Sequence, residues 1–150
     1  MRNERERGFT LIEMMIVVAI IAILVTILVP NFMRARAQAQ TAACEGNLKE
    51  IATALELYQT DHDAYPQSGS IDESNTDLQP YLQQTPVDPA AGPGKPYTFA
   101  VTDDGTGSPS YTITCPGTHD PATLQAFSQN NGGTHIQYGS QTGFSAVASQ

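Results

Sequence analysis

Few side chains in this sequence stand where they could do chemistry, and the first is Glu13. It is the single charged residue in the run FTLIEMMIVVAIIAILVTILV at positions 9–29. A carboxylate in a membrane-crossing helix costs roughly 2.5–3.5 kcal/mol at the bilayer centre and less near the interface. Such a group calls for a partner. Cleavage between Gly8 and Phe9 would create one, because Phe9 would then carry a new α-ammonium one helical turn from Glu13. If such helices pack in parallel with a stagger, Glu13 of one copy neutralises the Phe9 amine of the next. The pair then fixes the register of an assembly.

The other reactive residue types form no recognisable constellation. His62, His119 and His135 stand apart. Cys115 and His119 fall close together, but zinc needs more ligands at suitable spacing. They read as a strand end and a turn, and no metal site is expected. Asp61 and Asp63 read as a solvated helix end. Ser108 and Ser110 have no base or elbow motif beside them, and no Gly-rich phosphate loop is present. An enzyme is not expected. The two cysteines, Cys44 and Cys115, are too few for a disulfide scaffold. In an exported protein a Cys44–Cys115 bridge would stabilise by roughly 2–4 kcal/mol; otherwise both are buried thiols. The sequence leaves both readings open.

The elements that position these groups follow from hydrophobic patterning. Residues 1–8 form a short polar leader with Arg2, Arg5 and Arg7. As a helix, residues 9–30 would span roughly 30 Å, enough to cross a bilayer. Apolar all round, this segment must sit in lipid or among other protein. A cleaved secretory signal is the weaker alternative, despite small-residue sites at Ala35–Ala37 and Ala37–Ala39, because its apolar core would be too long. A plain anchor fits the length but leaves Glu13 without a purpose. Pro30 lacks an N–H and opposes the carbonyl of Thr26, so a helix passing through it should kink or loosen.

Residues 31–58 continue as an amphipathic helix, with Cys44, Leu48, Ile51, Leu55 and Tyr58 on one stripe. Pro66 disfavours helical geometry at Tyr65. Residues 59–150 form an acidic head. The formal net charge of the chain is -8, and after Glu50 only Lys95 opposes ten acidic residues. No basic surface for nucleic acid is present. Leu78, Tyr81 and Leu82 suggest a short helix. Segments 97–101 and 111–115 alternate with period two, with Asp103–Gly107 as the hairpin turn between them. Segments 135–138 and 144–147 are further strand candidates. The fold class is α+β: a long N-terminal helix whose amphipathic part packs on a small antiparallel sheet.

Gly8-Phe9-Thr10-Leu11-Ile12-Glu13, the apolar run behind it and Pro30-Asn31-Phe32 resemble the class III signal of type IV pilins and type II secretion pseudopilins. The resemblance implies a pilin-like fold and a membrane prepilin peptidase that cuts after Gly8 and N-methylates Phe9. It gives Glu13 a docking role and Pro30 a bent but continuing helix. The head is similar to major pseudopilins at Tyr65-Pro66 and Thr85-Pro86-Val87-Asp88-Pro89, but lacks the Trp-Gly usual before the Pro96-Tyr97 segment. Family members bind calcium in a C-terminal loop, for which Asp103, Asp104 and Asp120 offer oxygens. Their usual disulfide joins two C-terminal cysteines, an arrangement absent here.

The implied function is a structural filament subunit, of a type II secretion pseudopilus or, alternatively, a type IV pilus. Its implied partners are the prepilin peptidase and methylase, further copies of itself, an inner-membrane assembly platform, minor pilins and, before assembly, lipid. The implied location is the inner membrane, single-pass with the N-terminus cytoplasmic, and then a periplasmic or surface filament. A membrane-tethered protein whose acidic head captures a cationic ligand is the competing class.

Overall fold

The computed structural model describes residues 9–103, 109–126 and 134–148. One helix, α1, runs from Leu11 to His62 without a break at Pro30. The missing Pro30 N–H therefore costs one helical hydrogen bond but does not end the element. The chain divides at Arg36/Ala37 into two compact units. The first contains the apolar part of α1, which is long and apolar enough to cross a membrane and whose side chains are exposed among the described residues.

The second unit contains the rest of α1 and five strands: β1 (Gly69–Ile71), β2 (Tyr97–Thr102), β3 (Ser110–Thr114), β4 (His135–Gly139) and β5 (Gly143–Val147). They form one sheet in sequence order, with every neighbouring pair antiparallel. All four expected strands are present. The expected β2–β3 hairpin is confirmed by its register, Thr102 opposite Ser110. Four residues of its predicted turn, Asp104 to Gly107, lie outside the described residues, as does Ser108. Strand β1 went unread because Gly69-Ser70-Ile71 is too short to show alternation. It exists by pairing with β2, with Ile71 buried against Tyr97 and Leu78 in the core. The Leu78–Leu82 expectation corresponds to a 3-10 turn at Gln79–Tyr81, and a second such turn lies at Leu124–Ala126.

The predicted stripe on α1 is the helical half of the core. Cys44, Leu48, Ile51 and Leu55 are fully buried, and Tyr58 packs at the edge. Across from them lie Tyr97, Phe99, Tyr111 and Ile113 of β2 and β3, and Ile136 and Ala146 of β4 and β5. Each fully buried large side chain contributes about 1.5–3 kcal/mol through removal from water. Polar contacts fix the register of helix on sheet. Tyr111 donates to Glu56 Oε1 (2.9 Å) and Tyr65 to Glu56 Oε2 (3.3 Å). Asn47 Nδ2 donates to the Tyr97 hydroxyl and to the Val87 carbonyl, each at 3.0 Å.

The helix ends at His62, with Asp61 in its last turn and Asp63 just beyond, where a helix end was expected. Tyr58 stacks on His62 at 4.2 Å between ring centroids, and Tyr81 donates to Asp61 Oδ2 at 2.8 Å. Asp63 then adopts a left-handed conformation with φ 55°, which stops the helix.

Candidate functional site

The N-terminal segment is the first candidate. Among the described residues, the exposed large hydrophobic side chains other than Leu57 and Val87 fall between Phe9 and Met33, with Phe9 72% and Leu28 66% exposed. Glu13 sits in the first turn of α1. Its Oε2 accepts from the Thr10 backbone N–H (2.9 Å) and the Thr10 hydroxyl (2.7 Å), while its own N–H donates to Thr10 Oγ1 (3.3 Å). This is a reciprocal capping box: Thr10 caps the helix, and the third helical residue reaches back to satisfy Thr10. The Thr-x-x-Glu spacing was legible in the sequence, and reading Glu13 only as an intermolecular partner missed it. Glu13 thus has a purpose within its own chain. Gly8 lies outside the described residues.

The second candidate is buried in the head. Cys44 on α1, Asp88 in the loop before β2, Cys115 at the end of β3 and His119 four residues later bring their donor atoms within 4.8 Å of one another. All four side chains are buried, His119 being the most exposed at 5%. Cys115 Sγ donates to Asp88 Oδ2 (2.8 Å) and lies 3.0 Å from His119 Nε2. Asp88 Oδ2 also accepts from the Gly117 N–H (2.9 Å), and Oδ1 from the Ala90 N–H (2.8 Å). His119 Nε2 stands 3.7 Å from Asp88 Oδ2, an ion-pair distance too long for a hydrogen bond. Its Nδ1 has no partner among the described residues.

Burial disfavours charge on both Asp88 and His119, but their mutual contact and the adjacent Cys115 override it. Asp88 is held down to about 2 and His119 is raised to about 9. The Cys115 thiol is pushed upward by hydrogen bonding to Cys44 and by burial, so it is not an activated thiolate. Nor do Cys115, His119 and Asp88 form a nucleophilic relay, which needs base and orienting carboxylate on opposite ring nitrogens. Here both face Nε2, away from solvent. Both cysteines are free thiols in this structure.

The remaining acidic candidates do not join this cluster. Asp103 is exposed, Asp104 is outside the described residues, and Asp120 Oδ1 accepts from the Ala122 N–H at 2.9 Å. The sequence reading set Cys115 and His119 aside for want of further ligands. The fold brings Cys44 and Asp88 to them across long sequence separations, which no local spacing could reveal.

Comparison with known proteins places this architecture in a class. Residues 4–29 match the prokaryotic N-terminal methylation motif, the mark of a filament subunit with a processed apolar helix. Residues 31–137 match type II secretion system protein G, and the chain belongs to that family. It is 36% identical to the type II secretion system core protein G of Pseudomonas aeruginosa over 111 residues, covering 66% of this chain and 76% of that one. Identity to the core protein G of Klebsiella michiganensis is 31% over 121 residues, 79% of this chain and 80% of that one. A type IV major pilin of Myxococcus xanthus is 48% identical over 63 residues, but only 42% of this chain and 29% of that protein are aligned.

Proposed function

We propose that this chain is a structural subunit of a type II secretion pseudopilus, not an enzyme, and that it polymerises through the exposed apolar part of α1. The supporting observation is an apolar helix segment left exposed among the described residues, which opens on a capped carboxylate. In the proposed sequence of events, a prepilin peptidase cuts between Gly8 and Phe9 and methylates the new amine. The subunit waits in the inner membrane with its N-terminus cytoplasmic. Assembly then moves residues 9–33 from lipid into the filament, where Glu13 meets the Phe9 amine of a neighbouring copy. An assembly platform and minor pilins are its proposed partners. Lipid tails are as apolar as leucine, so the transfer gains little hydrophobic energy. The charged pair therefore carries much of the specificity.

The pseudopilus reading is favoured over a type IV pilus by the extent of similarity. Protein G relatives align across 66% and 79% of the chain, whereas the pilin aligns across 42%. Two measurements test the proposal. Mass spectrometry of the N-terminal peptide, from sheared surface material and from membranes, should find a methylated Phe9 start in both. Glu13→Gln should leave the subunit in the membrane and deplete it from the sheared fraction. A chain starting at Met1, or just after Ala37 or Ala39, would refute processing. Normal filament yield from Glu13→Gln would refute the docking role, whereas absence of the unsubstituted chain from the sheared fraction would favour a membrane-tethered binding protein.

A further inference from the structure

We propose that Cys44, Asp88, Cys115 and His119 form a closed, four-ligand site for zinc in the head. The donor set is the first argument. Two thiolates, an imidazole and a carboxylate make a tetrahedral zinc shell with no position left for substrate, the signature of a structural site. Calcium and magnesium take shells of oxygen, and here one carboxylate is the only oxygen ligand.

Geometry is the second argument. In a tetrahedral zinc site the ligand atoms stand about 3.3–3.8 Å apart, as the usual bond lengths require. The contacts here are 2.8 Å for Cys115–Asp88, 3.0 Å for Cys115–His119 and 3.7 Å for His119–Asp88. Opening the first two edges by roughly 0.5–0.7 Å, closing the third by about 0.4 Å and drawing in Cys44 Sγ, which lies within 4.8 Å of the other donors, would admit the ion at ordinary bond lengths. The metal would replace the Cys115 thiol proton donated to Asp88 and the proton shared in the contact between Cys115 and His119 Nε2.

The surroundings are the third argument. Metal ligands are normally aimed by outer hydrogen bonds, and both Asp88 oxygens already have them, from Gly117 N–H and Ala90 N–H. The His119 backbone is tied to the Thr134 carbonyl at 2.7 Å. Unlike Asp88, the His119 ring has no outer hydrogen bond among the described residues: Nδ1 is unpartnered, and its polar contacts are those of Nε2 with the cluster. A Cys44–Cys115 disulfide would use only two of the four donors and leave His119 to its ion-pair contact with Asp88. A metal ion uses all four. It would join α1, the 85–91 loop and the segment after β3, so the site would brace the head independently of how the filament forms.

The test uses the full-length chain in detergent micelles, reduced, stripped with a chelator and titrated with Co²⁺. One Co²⁺ per chain should bind with the visible spectrum of tetrahedral cobalt and a thiolate charge-transfer band, and Zn²⁺ should displace it. Cys115→Ser, Cys44→Ser and His119→Gln should each weaken binding at least ~100-fold, since even the outer partners of metal ligands are worth 10–100-fold. Circular dichroism identifies the variants that fold, and His119→Gln serves as the test if the cysteine variants do not. Absence of cobalt uptake by the folded, reduced chain would overturn the site. So would uptake that His119→Gln leaves unchanged, or recovery from cells of a zinc-free chain with Cys44 joined to Cys115.

Discussion

Gly117→Ala and Gly46→Ala add the same methyl group and should act with opposite sign. A Cβ at Gly117 would stand 2.8 Å from Ala91 N and 2.9 Å from Ala90 Cβ, and would run into Asp88 Oδ2. None of these is the free end of a flexible side chain. The carboxylate is held by the Gly117 and Ala90 N–H groups, and the other two atoms belong to the turn itself. Overpacking of this kind costs about 1–3 kcal/mol, and loosening a hydrogen bond to a charged group adds roughly 1.5–3 kcal/mol. Together these suggest a loss of about 3–5 kcal/mol. At Gly46, exposed on α1, an added Cβ meets nothing within 4 Å. Alanine there removes the entropic penalty of a helical glycine, about 0.5–1 kcal/mol.

At roughly 4 °C per kcal/mol for a domain of this size, Gly117→Ala should lower the melting temperature by about 12–20 °C, and Gly46→Ala should raise it by about 2–4 °C. The assay is thermal unfolding of the chelator-treated, full-length chain in detergent. It should be followed by near-ultraviolet tyrosine ellipticity, because Tyr97 and Tyr111 are buried in the head. Far-ultraviolet ellipticity would be dominated by α1. A Gly117→Ala protein melting within about 3 °C of the parent would mean that residues 115–119 and 88–91 are not in close contact. The cluster built on that contact would fall with it.

Two further outcomes follow from the same contacts. Thr10→Ala removes the hydroxyl that caps α1 and contacts Glu13, at a cost of about 0.5–2 kcal/mol to the first turn. Filament yield in the sheared fraction should fall, though less than for Glu13→Gln, with no change in head melting temperature; an unchanged yield would remove the capping box from the assembly argument. Tyr111 is held protonated by burial and by the nearby Glu56 carboxylate, so its pKa is raised above the ordinary value. A group with a raised folded pKa contributes stability that is intact below the unfolded value of about 10 and lost as pH rises beyond it. Melting temperature should therefore fall steeply above about pH 10, and less steeply in Tyr111→Phe; equal slopes would show that other groups set the alkaline limit.

What could be read from the sequence was what has a period or a local signature. The stripe Cys44–Leu48–Ile51–Leu55 and the strand segments 97–101 and 111–115 repeat every 3.6 or two residues, because one face of each must leave water, and the run at 9–29 stands out as an unbroken apolar stretch. The start of α1 carried a second signature, Thr10 with Glu13, whose two meanings are hard to separate from sequence. A cap and an intermolecular key both want a carboxylate in the first helical turn. Strand β1 was too short to alternate, and the contact of Tyr81 with Tyr58 joins side chains that only the fold brings together. The buried cluster was the least legible. Cys44, Asp88 and Cys115 are separated by long stretches of chain, and each alone reads as an ordinary core or loop residue.

Helix α1 divides its duties along its length. Its buried residues begin at Thr41 and end at Leu55, so the energy that folds the head is gathered by the second half alone. The first half has no buried residue among the described ones. On the proposed function, moving it from lipid to filament exchanges one apolar surrounding for another. The decision to assemble then rests on a few polar groups near its start: Thr10, Glu13 and the new amine of Phe9. The capping box satisfies Glu13 inside a single subunit and lowers the cost of waiting in the membrane. A neighbour's amine must compete with that cap for the same carboxylate, so the net gain is smaller than a bare ion pair would give. A small net gain is what permits a filament that can be extended and withdrawn, and it accounts for placing threonine and glutamate three residues apart at the head of an otherwise apolar helix.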